Sequence, residues 1–284
     1  MTLKRMLCLG LSLCLLWGTG LAELDSAEDE FDLVELLDEE PMSEGDALWS
    51  FPVALEDLDP DYIRLANKHM YLPKDYSATP LVTIPTRKVK SDGTTNGGVR
   101  KASSGTMKLQ ETCAAALVQM FEDANDQGVK LYLKSAWRSW QTQNTMYYNR
   151  LKKYGYDDGW VIKPGASDHQ TGLGCDVVSY AWRDRGMNAQ FAKTTEAQWM
   201  AAHCAEYGFV IRYPEDKVDV TEINYEPWHL RYVGVAAATY IMSNGLCLEE
   251  FHDQLSAAIE AYVAAGGDEA RVKPLIQVSY EDTY

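Results

Sequence analysis

Apolar residues recur every three to four positions in five stretches of the chain, and this spacing predicts five amphipathic helices. The predicted helices cover residues 111–127, 139–154, 196–207, 235–243 and 248–265. Short apolar or alternating runs predict strands at 129–134, 209–212 and 228–233. Because helices and short strands alternate irregularly, the sequence predicts an α+β fold. Helices would pack against a small, mostly antiparallel sheet.

The first 22 residues have the pattern of a secretory signal peptide. Lys4 and Arg5 precede an uncharged stretch that is strongly apolar over 6–17, and Gly20 and Ala22 supply small residues for cleavage. An uncleaved membrane anchor is the alternative, although a spanning helix needs about 20 apolar residues. We therefore expect an exported protein, either extracellular or associated with the cell wall or membrane.

Residues 23–60 form a second region, which is strongly acidic. Sixteen of the 42 acidic residues lie between Glu23 and Asp61, where the chain has no Lys or Arg, and the rest of the sequence is close to neutral. This composition predicts a flexible, solvated linker, followed by one globular domain over 61–284. The chain has no basic patch with interleaved aromatic residues, so nucleic-acid binding is not expected.

Four cysteines follow the predicted signal peptide: Cys113, Cys175, Cys204 and Cys247. An exported protein can form disulfides, yet free cysteine is also among the residues most often buried. Both states therefore stay open at this point. No two of these cysteines have C-x-x-C spacing, which argues against a zinc site built from thiolates.

The candidate chemistry lies in two short segments that each contain a histidine. In the first, His169 and Asp176 flank a glycine-containing turn, so the imidazole and the carboxylate can approach one cation from adjacent backbone segments. In the second, Pro227 disfavours helix at Glu226 and makes a rigid entry into the strand near His229. Two histidines and one carboxylate leave a tetrahedral zinc ion one open position for water, and Glu226 is placed to act as general base.

Each segment alone has an ordinary structural explanation, since a histidine near an aspartate is more often a structural pair than a ligand. Together they supply a complete ligand set and a base. Arg138 follows a predicted strand and can direct its guanidinium at a carboxylate or a polarised carbonyl, although a salt-bridged arginine is the alternative. Gln143 and Tyr147 recur four residues apart on the next helix. The remaining histidines are expected to have packing or surface roles: His69, His203 and His252.

These motifs resemble those of the VanY-type D-alanyl-D-alanine carboxypeptidases, zinc peptidases grouped with the VanX dipeptidases and the hedgehog-like fold. The resemblance rests on Ser-x-His-x6-Asp at 167–176 and Glu-Pro-Trp-His at 226–229, and it covers residues 60–250. The chain departs from the usual pattern at four positions that are neither ligands nor base: Ala136, Trp137, Gly174 and Cys175.

The resemblance implies a zinc ion on the sheet and a peptidoglycan stem peptide as substrate. The implied zinc ligands are His169, Asp176 and His229. Glu226 would be the catalytic base, and Arg138 matches a position that lines the substrate pocket, where we expect it to stabilise the oxyanion. The residues implied to line the substrate pocket are Ser167, Gln143 and Tyr147.

The implied reaction removes the C-terminal D-amino acid from the stem peptide. L,D-carboxypeptidase action on tetrapeptide stems is one alternative, and a non-catalytic, zinc-containing wall-binding domain is another. The presence of Glu226 favours an enzyme, and no Gly-x-Ser-x-Gly or Ser-x-x-Lys nucleophile stands in the catalytic region. We expect a monomer.

Overall fold

A computed structural model describes residues 48–277, except for 79, 89, 92–94 and 103–105. The predicted signal peptide (1–22) and the predicted linker up to residue 47 lie outside the described residues. Within the described part of the chain, no helix combines the length and apolar character needed to cross a bilayer.

A four-stranded antiparallel sheet forms the centre of the fold. Two short strands, β1 (Leu81–Thr83) and β2 (Lys108–Gln110), pair separately. The central sheet has the order β3-β4-β6-β5, with these bounds in chain order: β3 Leu131–Ser135, β4 Gly174–Ser179, β5 Phe209–Ile211 and β6 His229–Tyr232. This arrangement confirms the predicted α+β class with a small antiparallel sheet.

Eight α-helices surround the sheet in the described part of the chain. Four of the five predicted helices correspond to α1 Glu111–Asp126, α2 Trp140–Tyr154, α6 Val235–Ser243 and α7 Leu248–Ala264. The fifth prediction corresponds to α4 Thr195–His203, which continues as a 3-10 turn. Three single-turn helices were not predicted: α3 Asp168–Thr171, α5 Val218–Thr221 and α8 Glu269–Val272.

Helix α2 shows how local sequence determines the element that carries part of the site. The Ser139 side chain accepts a hydrogen bond from the Thr142 backbone N–H at 3.3 Å, which caps the first turn. Gly155 ends the helix in the left-handed conformation, with φ of 83°. Both signals are visible in the sequence, and the observed bounds agree with the predicted ones.

Strand β4 is the central element that periodicity did not predict. All six of its residues are buried, so the strand lacks the alternation of apolar and polar positions that marks a half-exposed strand. It pairs with both β3 and β6, and its register places Asp176 directly opposite His229. The sheet itself therefore brings two of the implied zinc ligands together.

Two apolar clusters pack against the sheet and the helices. The first combines α1, β3, β4 and α4, and the second joins α6 and α7 to residues 51–65. Phe51, Val53 and Leu58 belong to the second cluster and are at most 9% exposed. Because these residues are packed, residues 51–58 are part of the folded domain, and the predicted linker boundary at residue 60 was placed too late.

The four cysteines of the domain are free and buried. Burial raises the pKa of the Cys175 and Cys113 thiols well above the usual range for cysteine. Thiols in this state are poor nucleophiles and poor metal ligands. The structure therefore corresponds to the unpaired alternative.

Candidate active site

Three side chains from α3, β4 and β6 form a buried cluster that can hold a metal ion. One ligand atom from each of His169, Asp176 and His229 lies within 4.8 Å of the others. The His169 Nε2 atom is 3.4 Å from Asp176 Oδ2, and the His229 Nδ1 atom is 3.2 Å from Asp176 Oδ1. The sequence predicted this set, and the structure brings all three together.

Two glycines allow the chain to reverse between His169 and Asp176. Gly172 ends α3 with φ of 75°, a conformation that other residues adopt at a cost. At Gly174, a Cβ atom would lie 2.9 Å from the Cβ of Asp168 and 3.0 Å from its backbone carbon. A side chain there would force α3 away from β4 and separate the two ligands.

The hydrogen bonds of the two imidazoles suit metal binding. His169 Nδ1 donates to the Ala136 carbonyl at 2.8 Å, which leaves the Nε2 lone pair facing Asp176. His229 presents Nδ1 to Asp176, while its Nε2 is buried without a hydrogen-bond partner, 4.0 Å from Asp168 Oδ2. Two imidazole nitrogens and one carboxylate oxygen are a donor set that zinc prefers.

The charge states of the cluster also suit a cation. Burial lowers the pKa of His169, and the positive charge of Arg138 lowers it further, which shifts the imidazole toward its neutral form. Burial alone would raise the pKa of Asp176, but the facing imidazoles outweigh this effect and hold it well below its usual range. Neutral imidazoles and an ionised carboxylate are the forms that bind a metal.

Glu226 lies beside the cluster and has the environment of an acid–base group. Its Oε2 atom is 3.5 Å from His229 Nδ1, and its backbone N–H donates to the Tyr213 carbonyl at 3.1 Å. Burial raises the pKa of Glu226 well above its usual range, and the negative charge of Asp176 adds to the rise. A carboxyl group with a raised pKa can take up a proton and release it again near neutral pH.

Arg138 faces the cluster from the end of β3. Its backbone N–H donates to the His169 carbonyl at 3.0 Å, and its Nη1 donates to Gln143 Oε1 at 2.6 Å. The Gln143 Nε2 in turn donates to the Ile162 carbonyl at 2.6 Å. Gln143 thus holds the guanidinium in place. Burial lowers the pKa of Arg138, while Asp176 and Glu226 partly oppose that effect.

A cavity of about 360 Å³ opens onto these groups. It is lined by the three ligands, Glu226, Arg138, Gln143 and Ser167, all of which the sequence had selected. Tyr147 is buried and is not among the lining residues. Its ring packs against that of Tyr148 at 5.3 Å between centroids, and its assignment to substrate binding stays a prediction.

Comparison with known proteins agrees with this geometry. The sequence profile of the VanY D-alanyl-D-alanine carboxypeptidase family matches residues 106–235. The putative carboxypeptidase YodJ of Bacillus subtilis (strain 168) is 35% identical over 197 residues, which cover 68% of this chain and 67% of YodJ. The chain belongs to the VanY family.

Solved structures of similar carboxypeptidases have the same fold. The LdcB LD-carboxypeptidase is 34% identical, with a TM-score of 0.59 over 68% of this chain and 87% of that one. A mutant of the vancomycin-resistance D,D-pentapeptidase VanY, in complex with Zn(II), is 27% identical, with a TM-score of 0.51 over 67% of this chain and 98% of that one.

A buried ion-pair network of this VanY-family domain holds the helix that carries His169, one residue of the metal cluster. Asp168 accepts hydrogen bonds from Arg212 Nε at 2.7 Å and from Arg231 Nη1, and none of these three side chains is exposed. Arg212 also forms a bidentate pair with Glu249, at 2.7 and 2.6 Å. Because Asp168 precedes His169 in α3, the network fixes the helix that presents this ligand.

Sequence reasoning missed the ion-pair network and aromatic residues of the cavity wall, among them Tyr213. Arg212 and Arg231 stand in otherwise apolar strand segments, and a buried arginine requires a carboxylate partner. That signal could have identified the network, although not its partners. Tyr213 lines the cavity, and nothing in its sequence context distinguishes it from a packing residue.

Proposed function

We propose that this protein is a zinc-dependent D-alanyl-D-alanine carboxypeptidase that removes the C-terminal D-amino acid from peptidoglycan stem peptides. The observation that carries the proposal is the buried cluster of His169, Asp176 and His229, with Glu226 beside it and Arg138 facing it across one cavity. Membership of the VanY family and the Zn(II) complex of a relative support the metal and the reaction class.

The zinc ion would be held by His169 Nε2, His229 Nδ1 and a carboxylate oxygen of Asp176. When bound, zinc acts as a Lewis acid toward the attacking water and the scissile carbonyl. The cavity gives the substrate access to the side of the cluster that Glu226 and Arg138 share.

Glu226 performs the proton transfers. Its carboxylate accepts a proton from the attacking water and then donates that proton to the leaving amine of the terminal residue. Its position is fixed by its backbone hydrogen bond to Tyr213 and by the Pro227 that follows it. The base is therefore oriented before the substrate binds.

Arg138 stabilises the negative charge that develops on the attacked carbonyl oxygen. Its guanidinium is mostly buried, and Gln143 holds it in place. A fixed charge in a site of low dielectric stabilises developing charge more than a mobile charge in water does. This preorganisation favours an oxyanion role over simple anchoring of the substrate.

The Glu226→Gln variant tests the mechanism. Glutamine keeps the shape of the side chain but cannot accept the proton, so turnover should fall by about 100-fold or more while zinc content is unchanged. The exposed Glu222→Gln variant, four residues earlier, is the control and should cleave at the wild-type rate. Loss of zinc in the Glu226 variant would show that Glu226 is a ligand, and near-normal turnover would favour a wall-binding domain.

A second candidate function is L,D-carboxypeptidase action on tetrapeptide stems. The observation that favours it is the likeness to LdcB, whose TM-score of 0.59 exceeds the 0.51 of the VanY pentapeptidase. Purified protein should be incubated with a pentapeptide and with a tetrapeptide stem, with and without a zinc chelator. Mass spectrometry of the products then separates the two specificities: chelator-sensitive loss of one residue from the pentapeptide alone supports the first proposal.

We further propose that the protein is exported, because peptidoglycan stem peptides lie outside the cytoplasm. The proposal rests on the charged start, apolar stretch and small residues of residues 1–22. N-terminal sequencing of the protein recovered from cell fractions tests it. A start just after Ala22 indicates a cleaved signal, and an intact N-terminus in the membrane fraction indicates an anchor.

A further inference from the structure

Tyr213 is a cavity residue to which the mechanism above assigns no side-chain role. It follows β5, and its ring packs against the imidazole of His229, with 5.0 Å between centroids. The guanidinium of Arg212 lies 4.8 Å from the ring centroid. The Tyr213 carbonyl accepts the backbone hydrogen bond of Glu226 at 3.1 Å. The ring of Tyr213 is thus held against His229, a proposed zinc ligand, and its backbone is held by the hydrogen bond with Glu226, the proposed base.

The hydroxyl of this held side chain has no hydrogen-bond partner among the described residues. The residue is only 4% exposed, and buried hydroxyls are generally hydrogen-bonded. The hydroxyl oxygen is not among the fully enclosed atoms that lack a partner, so it keeps some access to solvent. Tyr213 is one of the residues that line the cavity in which the substrate is proposed to bind.

Tyr213 lines the same cavity as Arg138 and Glu226. A phenol keeps its proton at neutral pH and can donate one hydrogen bond. A donor that is held rigidly before the reaction stabilises developing charge without the cost of reorganisation.

We propose that the Tyr213 hydroxyl donates a hydrogen bond to the reacting carbonyl of the substrate, as a second protein donor beside Arg138. The inference rests on the proposed carboxypeptidase function. It makes Tyr213 a catalytic residue, in contrast to a residue that only packs against His229.

The test compares Tyr213→Phe with the wild type, both loaded with zinc. The substitution removes the hydroxyl and keeps the ring that contacts His229. We expect kcat and kcat/KM on the cleaved stem peptide to fall together by about 10- to 100-fold, with zinc content and zinc affinity unchanged. The control is Tyr232→Phe, a buried tyrosine of β6 that does not line the cavity, which should stay within about twofold of the wild type.

Three kinetic or metal-binding outcomes would overturn the inference. Activity of Tyr213→Phe within twofold of the wild type would show that the hydroxyl makes no contact that matters. A rise in KM at unchanged kcat would restrict it to ground-state binding. Weaker zinc binding would show that the residue acts by packing against His229.

A phosphinate analogue of D-Ala-D-Ala provides a second measurement, because its tetrahedral anionic phosphorus imitates the attacked carbonyl. Calorimetric titration should show weaker binding to Tyr213→Phe than to the wild type, by about the same factor as the loss in kcat/KM. Equal affinities, or no binding to either protein, would contradict the inference. If the wild type cleaves no stem peptide, the proposed function fails, and this titration still decides the role of Tyr213.

Discussion

Replacing Asp168 with asparagine should destabilise the domain far more than breaking a similar ion pair near the surface. Asp168 accepts hydrogen bonds from two guanidinium groups, and all three side chains have no exposed area. With Glu249, the network contains two positive and two negative charges and is neutral. The Asp168→Asn variant keeps the size of the side chain but removes one of the two negative charges. The positive charges of Arg212 and Arg231 are then balanced only by Glu249, so one positive charge in the interior is uncompensated.

The structure sets the expected magnitude. Removal of one partner from a buried ion pair costs about 3–5 kcal/mol, because the other charge stays buried and uncompensated. Arg231 keeps hydrogen bonds to the carbonyls of Tyr62, Arg64 and Tyr232, which places the loss toward the lower end. Domains generally have a free energy of unfolding of about 5–15 kcal/mol. The variant would lose a large part of this free energy, and it would still fold unless the wild type lies near the lower limit.

The matched control is Asp158→Asn. Asp158 forms a bidentate pair with Arg150, with two distances of 2.6 Å, but the two side chains are 14% and 29% exposed. Solvent screens such a pair, so its loss should cost about 1 kcal/mol or less. The two variants thus share the chemistry of an aspartate–arginine pair and differ in burial.

Urea unfolding at pH 7 and one fixed zinc concentration measures both variants, since bound zinc also contributes to stability. We expect the midpoint of Asp168→Asn to fall several times further than that of Asp158→Asn, with equal slopes. Equal losses in the two variants would refute the reasoning that burial, and not the ion pair as such, determines the cost.

Further predictions concern the metal, the oxyanion and the acid limit of stability. His229→Ala should lose most of its zinc by elemental analysis, whereas His203→Ala, which changes a partly exposed histidine outside the cluster, should keep it. In steady-state kinetics, Arg138→Lys should lower kcat and kcat/KM together, which corresponds to a rise of about 2–4 kcal/mol in the activation barrier. A rise in KM alone would show that Arg138 only anchors the substrate. Burial alone would raise the pKa values of Asp168 and Glu249, but the neighbouring arginines hold both below the usual range. Their stabilising effect is therefore complete above about pH 5 and is lost as the pH falls below about 4. The urea midpoint should drop steeply below about pH 4. In a variant that lacks these carboxylates, the midpoint should drop much less over the same pH range.

The sequence by itself determined the site chemistry. His169, Asp176, Glu226 and His229 occur in short segments whose residue types and spacing have few other uses, and the structure brings all four together. The same holds for Arg138, which follows a strand that alternation predicts. Long amphipathic helices were also predictable, because a helix with one apolar face carries its own periodic signal.

Only the tertiary structure determined how these segments are held. Strand β4 is buried on both faces and so has no alternating pattern, yet its register places Asp176 opposite His229. The amide of Gln143 bridges Arg138 and the Ile162 carbonyl, a contact that its sequence context did not indicate. Neither fact can be derived from residue type alone, because each depends on which segments of the chain pack together.

The residues that sequence reasoning missed have the same origin. The partners of Asp168 lie 44 and 63 positions away in the sequence, and no local pattern links residues at such distances. In the sequence, Tyr213 directly follows a predicted apolar strand and has no feature that marks it as a site residue. Only the pairing of β5 with β6 makes it part of the cavity wall. Short sequence motifs identify the residues that carry the chemistry, whereas the burial and orientation of their side chains are determined only when the whole chain packs.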